Sequence, residues 1–177
     1  MQYISYYQSP LGKILLAADR TGITGAWFKD QKYYAHGLDA EHTEKSTPVL
    51  EDAKRWLDLY FSGKEPDFMP PLHPSGTPFQ MEVWDILRQI PYGTAMTYGE
   101  IAKKIARRRG IPHMSAQAAG GAVGRNPVSI LIPCHRVVGS NGSLTGYAGG
   151  IDRKLKLLAL EKAPVEAYFI PEKGTAL

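Results

Sequence analysis

Short apolar runs alternate with turn residues in the first part of the chain. The runs lie at residues 3–7, 13–18 and 23–28, and they are rich in β-branched, aromatic and other strand-forming residues. Residues 9–12 and 19–22 between them hold the Ser, Pro, Asp and Gly typical of turns. The pattern therefore predicts a small antiparallel sheet, a meander of three strands.

A helical spacing follows the three runs. Apolar residues on one face predict a helix over 49–61, formed by Val49, Leu50, Ala53, Trp56, Leu57 and Tyr60. Gly63 suits the end of that helix. Residues 64–78 then hold five prolines, which neither a helix nor a central strand accepts at this density. We expect this stretch to be a linker.

The second half of the chain has mostly helical spacing. Its first helix ends at residues 91–93 and has one apolar face, formed by Phe79, Val83, Ile86, Leu87 and Ile90. Thr97 and Glu100 have the spacing of a capping box and predict the start of a second helix. Residues 107–112 interrupt it, and Ser115 can cap a third, short helix. Two short helices joined by a turn indicate a helix-turn-helix, here with a longer connection than usual.

The third helix is rich in Ala and Gly over residues 116–122. Each glycine in a helix costs about 1 kcal/mol relative to alanine. Either close helix packing or close approach to a surface such as DNA explains this composition, and the sequence leaves both open.

These patterns predict three parts. Residues 1–78 form an α/β N-terminal domain, a small antiparallel sheet with a helix, that ends in the proline-rich linker. Residues 79–165 form a mostly α C-terminal domain that contains a winged-helix-like helix-turn-helix. Residues 166–177 form a C-terminal tail.

Composition and charge narrow the function classes. No apolar run is long enough for a membrane span, and no signal peptide is visible, so we expect a cytoplasmic protein. A single cysteine excludes an internal disulfide and a multi-cysteine zinc site. Residues 1–78 hold 8 Lys and Arg against 10 Asp and Glu, whereas residues 79–177 hold 13 against 7. The net charges of −2 and +6 favour a polyanionic partner for the C-terminal half.

The single cysteine lies in the most informative segment. An apolar run at 130–133, predicted as a strand, delivers Cys134, His135 and Arg136. Basic or cationic neighbours convert a thiol into the nucleophilic thiolate. The plain alternative is a buried core cysteine beside a surface histidine.

The segments around this cysteine resemble the O6-alkylguanine-DNA alkyltransferases. The resemblance extends from Phe79 to Glu161, about half of the chain. It rests on Val83-Trp84, Ile90-Pro91-Tyr92-Gly93, Thr97-Tyr98, Gly120-Gly121-Ala122-Val123, Asn126-Pro127, Ile132-Pro133-Cys134-His135-Arg136-Val137, Gly146-Tyr147-Ala148-Gly149-Gly150 and Glu161. The N-terminal half is compatible with the variable α/β domain of the family but has no diagnostic motif.

The resemblance implies a catalytic role for five residues. Cys134 attacks the alkyl carbon and keeps the alkyl group, so that each chain reacts once. His135 takes the thiol proton through a water molecule, and Glu161 orients His135 and stabilises its charge. Asn126 braces the turn that holds Cys134. Tyr98 hydrogen-bonds the guanine and helps to rotate the nucleotide out of the duplex.

The resemblance also implies a base pocket and a DNA surface. The pocket is formed by Val137, Tyr147, Ala148 and Gly149. The second helix of the helix-turn-helix enters the minor groove, where small side chains fit. The residues expected to contact DNA are Gly99, Ser115, Ala116, Gln117, Arg125, Arg136 and Ser140. The expected partner is double-stranded DNA containing O6-alkylguanine, bound by a monomer without a cofactor or a membrane, and O4-alkylthymine is a further candidate substrate.

Two departures from the family pattern concern DNA and metal. Many members have an intercalating arginine where this chain has Gln117, and residues 107–113 are longer and more basic than in some relatives. Some members bind zinc in the N-terminal domain. This chain has no cysteine there, so we predict no metal site, and its three N-terminal histidines are expected at the surface: His36, His42 and His73.

Three other functions compete with alkyl transfer. A non-enzymatic binder of alkylated DNA would lack the reactive cysteine. A cysteine hydrolase would use Cys134, His135 and Glu161, although direct proton transfer between adjacent side chains is awkward. A plain DNA-binding regulator would have no use for the Pro-Cys-His-Arg segment.

Overall fold

The three predicted strands form a meander at the start of the chain. In the computed structural model, which describes residues 1–171, β1 (Gln2–Ser9), β2 (Gly12–Ala18) and β3 (Ile23–Phe28) pair antiparallel in sequence order. A fourth strand, β4 (His42–Glu44), pairs parallel to β1, so that the sheet order is β3-β2-β1-β4 and the sheet is mixed. All three residues of β4 are exposed, and no apolar alternation signals this strand in the sequence.

The predicted helix of the first half packs on this sheet. It is α1 (Pro48–Phe61), and the hydroxyl of Thr47 caps it by accepting from the Leu50 N–H. The helix contacts β1, β2 and β3. Its buried residues are five of the six that define the apolar face: Leu50, Ala53, Trp56, Leu57 and Tyr60. The 3.6-residue periodicity alone therefore identified the face that joins the core.

The proline-rich segment has no helix from 64 to 77, as predicted, whereas Pro78 is already the first residue of the next helix, and part of the segment is held against the sheet. The Ile23 N–H donates to Pro71 O at 2.8 Å, and the His73 N–H donates to Ile23 O at 2.7 Å. Because β3 is an edge strand, its unpaired backbone groups need such partners.

A second segment covers the same edge of β3 and comes from far along the chain. The Ala26 N–H donates to Pro127 O at 2.8 Å, and the Ser129 N–H donates to Ala26 O at 3.0 Å. The chain divides into one unit of residues 1–75 with 127–131 and a second of residues 76–126 with the chain from 132 onward. The predicted continuous domain 79–165 is therefore interrupted, because these backbone hydrogen bonds place 127–131 in the first unit.

The second unit contains the predicted helices. They are α2 (Pro78–Leu87), α3 (Tyr98–Arg109) and α4 (Ala116–Gly124), followed by α5 (Ile151–Leu160). The capping box of Thr97 and Glu100 is present, and the hydroxyl of Ser115 accepts from the Ala118 N–H, so both predicted caps are confirmed. The first helix ends before Ile90, which was predicted to belong to it.

Short parallel strands and a docked segment complete this unit. Strands β5 (Met96–Thr97) and β6 (Val137–Val138) pair in parallel, next to the start of α3. The Phe169 N–H donates to Gly142 O at 3.1 Å, so the described part of the predicted tail packs on the unit. Residues 172–177 of that tail lie outside the described residues. Within residues 1–171, no helix is both long and apolar enough to cross a bilayer.

Candidate active site

The chain reaches Cys134 through consecutive tight turns. The predicted strand over 130–133 is wrong, because residues 129–132 form turns and bends. Ile130 has φ 72°, which is strained for a β-branched residue, and the Leu131 N–H donates to Ser129 O at 2.9 Å. Strands and buried turns can carry the same apolar residues, so the hydrophobic pattern could not separate the two.

Asn126 braces the turn before the cysteine. Its Nδ2 donates to Ile132 O at 2.8 Å, and its side chain also hydrogen-bonds Cys134. Asn126 is buried, so both contacts are shielded from water. The structure places this amide where the predicted bracing role requires it.

Cys134 is buried at the start of a 3₁₀ turn (Cys134–Arg136). Burial raises the pKa of its thiol, because the thiolate loses solvation. The hydrogen bond from Asn126, the charge of Lys154 and the backbone N–H groups of Cys134 and His135 act in the opposite direction. The thiol is therefore protonated at rest but is surrounded by groups that stabilise the thiolate.

The carboxylate of Glu161 joins His135 and Arg136. His135 Nε2 lies 2.6 Å from Glu161 Oε2, and both side chains are completely buried. Burial lowers the pKa of His135 and outweighs the hydrogen bond and charge of Glu161, which raise it, so the imidazole is neutral. Burial alone would raise the pKa of Glu161, but His135 and Arg136 hold it well below its usual range. With Nε2 donating to the carboxylate, Nδ1 is the basic atom of His135.

Arg136 has a different environment from the one predicted. It was expected to contact DNA, but only 8% of its surface is exposed. Its Nε and Nη2 donate to the two oxygens of Glu161 at 2.8 and 3.1 Å, and its Nη1 donates to Ile90 O at 2.7 Å. The guanidinium is thus not available to a phosphate, because a buried carboxylate and a carbonyl already occupy it.

Lys154 is a site residue that the sequence interpretation missed. Its side chain is fully buried, and burial lowers its pKa to about 8. Nζ donates to Thr145 O at 2.7 Å, and the hydroxyl of Tyr98 donates to the same oxygen at 2.8 Å. Lys154 precedes the buried Leu157 and Leu158 by three and four residues, so it lies on the buried face of α5. This spacing is the sequence signal that could have identified it.

Tyr98 lies at the first position of α3 and is buried. Burial raises the pKa of its hydroxyl, and the charge of Cys134 adds to this effect. The phenol therefore keeps its proton, and its oxygen can accept a hydrogen bond while it donates to Thr145 O.

One of the four predicted pocket residues, Tyr147, lies against the histidine. Val137 and Gly149 are buried, Tyr147 is nearly so, and Ala148 is partly exposed. The ring of Tyr147 meets the His135 ring edge to face, with centroids 6.5 Å apart. A Cβ on Gly149 would lie 2.5 Å from a ring carbon of Tyr147, so this position needs glycine.

Most of the predicted DNA contacts are at the surface. Ser115, Ala116, Gln117, Arg125 and Ser140 are exposed, and Gly99 is partly exposed.

The glycines of α4 had two explanations from the sequence, close helix packing and close approach to a surface such as DNA. Packing explains Gly120, which is buried. Gly121 is exposed, and a Cβ built on it or on Gly124 would meet no atom within 4 Å. Packing therefore does not require these two glycines.

The histidines of the first unit lie at the surface, as predicted. His36, His42 and His73 are exposed, and His73 pairs with Asp19 at 2.6 Å. Within residues 1–171, no three His, Cys, Asp or Glu side chains are arranged to hold a metal ion.

Comparisons with known proteins match both halves of the chain. The ribonuclease-like domain of 6-O-methylguanine DNA methyltransferase matches residues 2–74, and the DNA binding domain of the same family matches residues 78–163. The methylated-DNA–protein-cysteine methyltransferase of Haemophilus influenzae is 40% identical over 92% of this chain and 87% of its own length. That of Methanosarcina acetivorans is 43% identical over 90% of this chain and 97% of its own length.

Solved structures agree with these matches. The Mycobacterium tuberculosis O6-methylguanine methyltransferase has a TM-score of 0.77 at 40% identity, and the match covers 92% of this chain and 93% of the other. Mycobacterium tuberculosis OGT in complex with DNA has a TM-score of 0.77 at 36% identity, over 93% of this chain and 98% of the other. The family model, the relatives and the structures all cover most of the sequence, and the chain therefore belongs to the methylated-DNA–protein-cysteine methyltransferase family, as its motifs predicted.

Proposed function

We propose that this protein repairs O6-alkylguanine in double-stranded DNA by transferring the alkyl group to Cys134. The observation that supports this most directly is the surroundings of the thiol. The only cysteine of the chain is adjacent to a buried His–Glu pair and near an amide, a lysine and backbone N–H groups that favour the thiolate.

The first step is deprotonation of the thiol. His135 is neutral and has its Nε2 bound to Glu161, so Nδ1 can receive the proton, with a water molecule between the two side chains. The imidazolium that forms is stabilised by the carboxylate of Glu161. Asn126 and Lys154 stabilise the thiolate at the same time.

The second step is displacement at the alkyl carbon. The thiolate sulfur bonds to that carbon, the carbon–O6 bond breaks, and its electron pair stays on the guanine. The proton taken from the thiol is returned to the guanine, so that a thioether and an unmodified base are the products. The Tyr98 hydroxyl can assist by hydrogen-bonding the leaving base. A thioether has no easy leaving group, so each chain reacts once.

A stacked guanine cannot reach a buried thiol, so the nucleotide must leave the duplex. In our proposal α4 enters the minor groove with its exposed Ser115, Ala116 and Gln117, and the base enters the pocket of Val137, Tyr147, Ala148 and Gly149. The exposed small residues of α4 support close approach to a narrow groove. The protein acts as a monomer, and O4-alkylthymine is a second substrate to be tested in the same pocket.

Intact-protein mass spectrometry tests this function. After incubation with a duplex that contains O6-methylguanine, we expect the chain to gain one methyl group, located on Cys134 by peptide mapping. Cys134→Ala should gain none but should still bind the duplex. An unmodified wild-type chain would contradict the proposal and would favour a non-enzymatic binder or a regulator. Release of a hydrolysed product without a mass gain would favour the hydrolase.

A further inference from the structure

Helix α3 has a basic side that no function described so far uses. One side of the helix is buried, formed by Tyr98, Ile101, Ala102, Ile105 and Ala106. On the opposite side, Lys103, Lys104 and Arg107 are all exposed. With 3.6 residues per turn these three lie within an arc of about 100° and about 6 Å of helix length. We call this group the basic face.

The basic face differs from its neighbours in having no partner. Arg108 pairs with Asp85 at 3.1 Å and Arg109 with Glu82 at 2.9 Å, so the last two arginines of the helix are tied to α2. Lys103, Lys104 and Arg107 have no hydrogen bond or ion pair within residues 1–171.

One acidic residue, Glu100, lies on the same side of α3 and leaves this side a net charge of +2. Glu100 precedes the basic face by one turn, and its carboxylate accepts from the Thr97 N–H at 3.3 Å in the capping box.

The position of the basic face along α3 relates it to the predicted DNA surface. The helix begins at Tyr98, whose hydroxyl donates to the same Thr145 oxygen as Lys154, and Arg107 follows nine residues later, about 14 Å along the axis. Six residues, 110–115, then lead to the exposed start of α4. The basic face lies about 7 to 14 Å along the axis from Tyr98, which is the length of about two to four base pairs in a duplex that runs along α3.

We propose that the DNA duplex runs along α3 and that the basic face binds its phosphates about two to four base pairs from the alkylated base, on one side of it. This inference rests on the proposed function, because that function places DNA against Tyr98 and α4. Three cations on one helix side complement a row of phosphates, and they supply charge near a recognition helix whose exposed Gln117 is neutral. Because Arg108 and Arg109 are paired with carboxylates of α2, the basic face is the part of α3 that is available to a polyanion.

Salt-dependent binding tests the proposal with a matched control. The parent is Cys134→Ala, which cannot consume the substrate, and the ligand is a duplex of about twenty base pairs with a central O6-methylguanine. The test variant adds Lys103→Gln and Arg107→Gln, and the control variant adds Arg108→Gln and Arg109→Gln. Both remove two positive charges from the same helix.

The expected results follow from counterion release. Each phosphate contact contributes about 0.9 to the slope of log K against log salt concentration, so the test variant should lose about 2 from this slope. Its affinity at physiological salt should fall roughly tenfold or more. The control variant should keep nearly the parent slope. Shortening the duplex to three base pairs on one side of the lesion should reduce the difference between parent and test variant, because the phosphates nearest Arg107 are then missing, whereas shortening the other side should not.

Three results would overturn the proposal: an unchanged slope in the test variant, an equal loss in the control variant, or a difference that does not decrease when either side is shortened. A parent that does not bind the duplex would also overturn it. Failure of the proposed function is distinguished by mass spectrometry, because wild-type Cys134 would then gain no methyl group whatever the slopes show. Thermal unfolding should be alike in parent and test variant, since the two residues are exposed.

Discussion

Replacing the buried Lys154 by methionine should stabilise the fold and slow the reaction. Lys154 is completely buried, and within residues 1–171 it pairs with no carboxylate. Its Nζ donates to Thr145 O at 2.7 Å and lies over the Tyr98 ring at 5.7 Å. An ammonium group that has one hydrogen bond and no counter-ion is costly to bury. We therefore infer that Lys154 is retained because its charge serves the chemistry of Cys134.

The pKa of Lys154 sets the size of the effect on stability. A pKa of about 8 in place of 10.5 corresponds to about 3 kcal/mol of lost stability at neutral pH. Methionine fills a similar volume but loses the hydrogen bond to Thr145 O, worth about 1 kcal/mol. The net gain is about 2 kcal/mol, which raises Tm by about 4–8 °C for a chain of this size.

The stability gained by Lys154→Met should decrease as the pH rises. Between pH 8 and 10.5 the unfolded chain binds a proton at Lys154 that the folded protein has released, so folded stability rises with pH in this window. The destabilisation is complete below pH 8 and disappears as the pH approaches 10.5. The Tm difference between Lys154→Met and wild type should therefore be largest at pH 7 and should narrow by pH 9.5. Cys134, whose pKa is raised by burial, affects both proteins in the opposite direction above pH 9.

The same substitution should weaken the nucleophile. The charge of Lys154 lowers the pKa of Cys134, so its loss should slow alkyl transfer at pH 7 by about tenfold. Because the chain has one cysteine, the pH profile of its reaction with iodoacetamide reports this thiol alone, and the profile should move to higher pH.

Lys156→Met is the matched control for this experiment. Lys156 lies on the same helix, is exposed and pairs with Asp152 at 3.0 Å. Its replacement should leave the thiol profile unchanged. It should also change the free energy of unfolding by no more than about 0.5 kcal/mol. A lower Tm of Lys154→Met at pH 7, or a thiol profile identical to that of wild type, would contradict the role given to Lys154.

Three further predictions concern the carboxylate, the recognition helix and stoichiometry. Glu161→Gln should slow transfer and lower the free energy of unfolding by about 3–5 kcal/mol, because it leaves Arg136 buried without its counter-ion. Adding Arg136→Met should recover stability but not rate, and urea unfolding checks this. Gln117→Arg should raise the rate on duplex DNA and spare the reaction with free O6-benzylguanine; an equal effect on both would make residue 117 irrelevant to base extrusion. Titration with excess methylated duplex should end at one methyl group per chain, and continued turnover would contradict the single-use mechanism.

Local sequence signals determined the elements and the chemical centre. Thr97 and Glu100 specify a capping box through atoms three residues apart, and the apolar face of α1 follows from helical periodicity alone. The Pro-Cys-His-Arg segment with Asn126 and Glu161 carried the resemblance to the family, and the family's DNA binding domain matches the residues 78–163 that contain them.

Tertiary contacts decided the features that have no local signature. Arg136 and Lys154 are residue types that normally lie at the surface, and only packing around Glu161 and Thr145 O buries them. Strand β4 pairs with β1 through backbone atoms that every residue has, so no side-chain pattern in the sequence identifies this strand. The strained turn at Ile130 is held by its buried surroundings, whereas an apolar run by itself is equally compatible with a strand. The sequence thus indicated which groups are candidates for the chemistry, and long-range packing decided their charge, burial and partners, since those quantities depend on neighbours far apart in the chain.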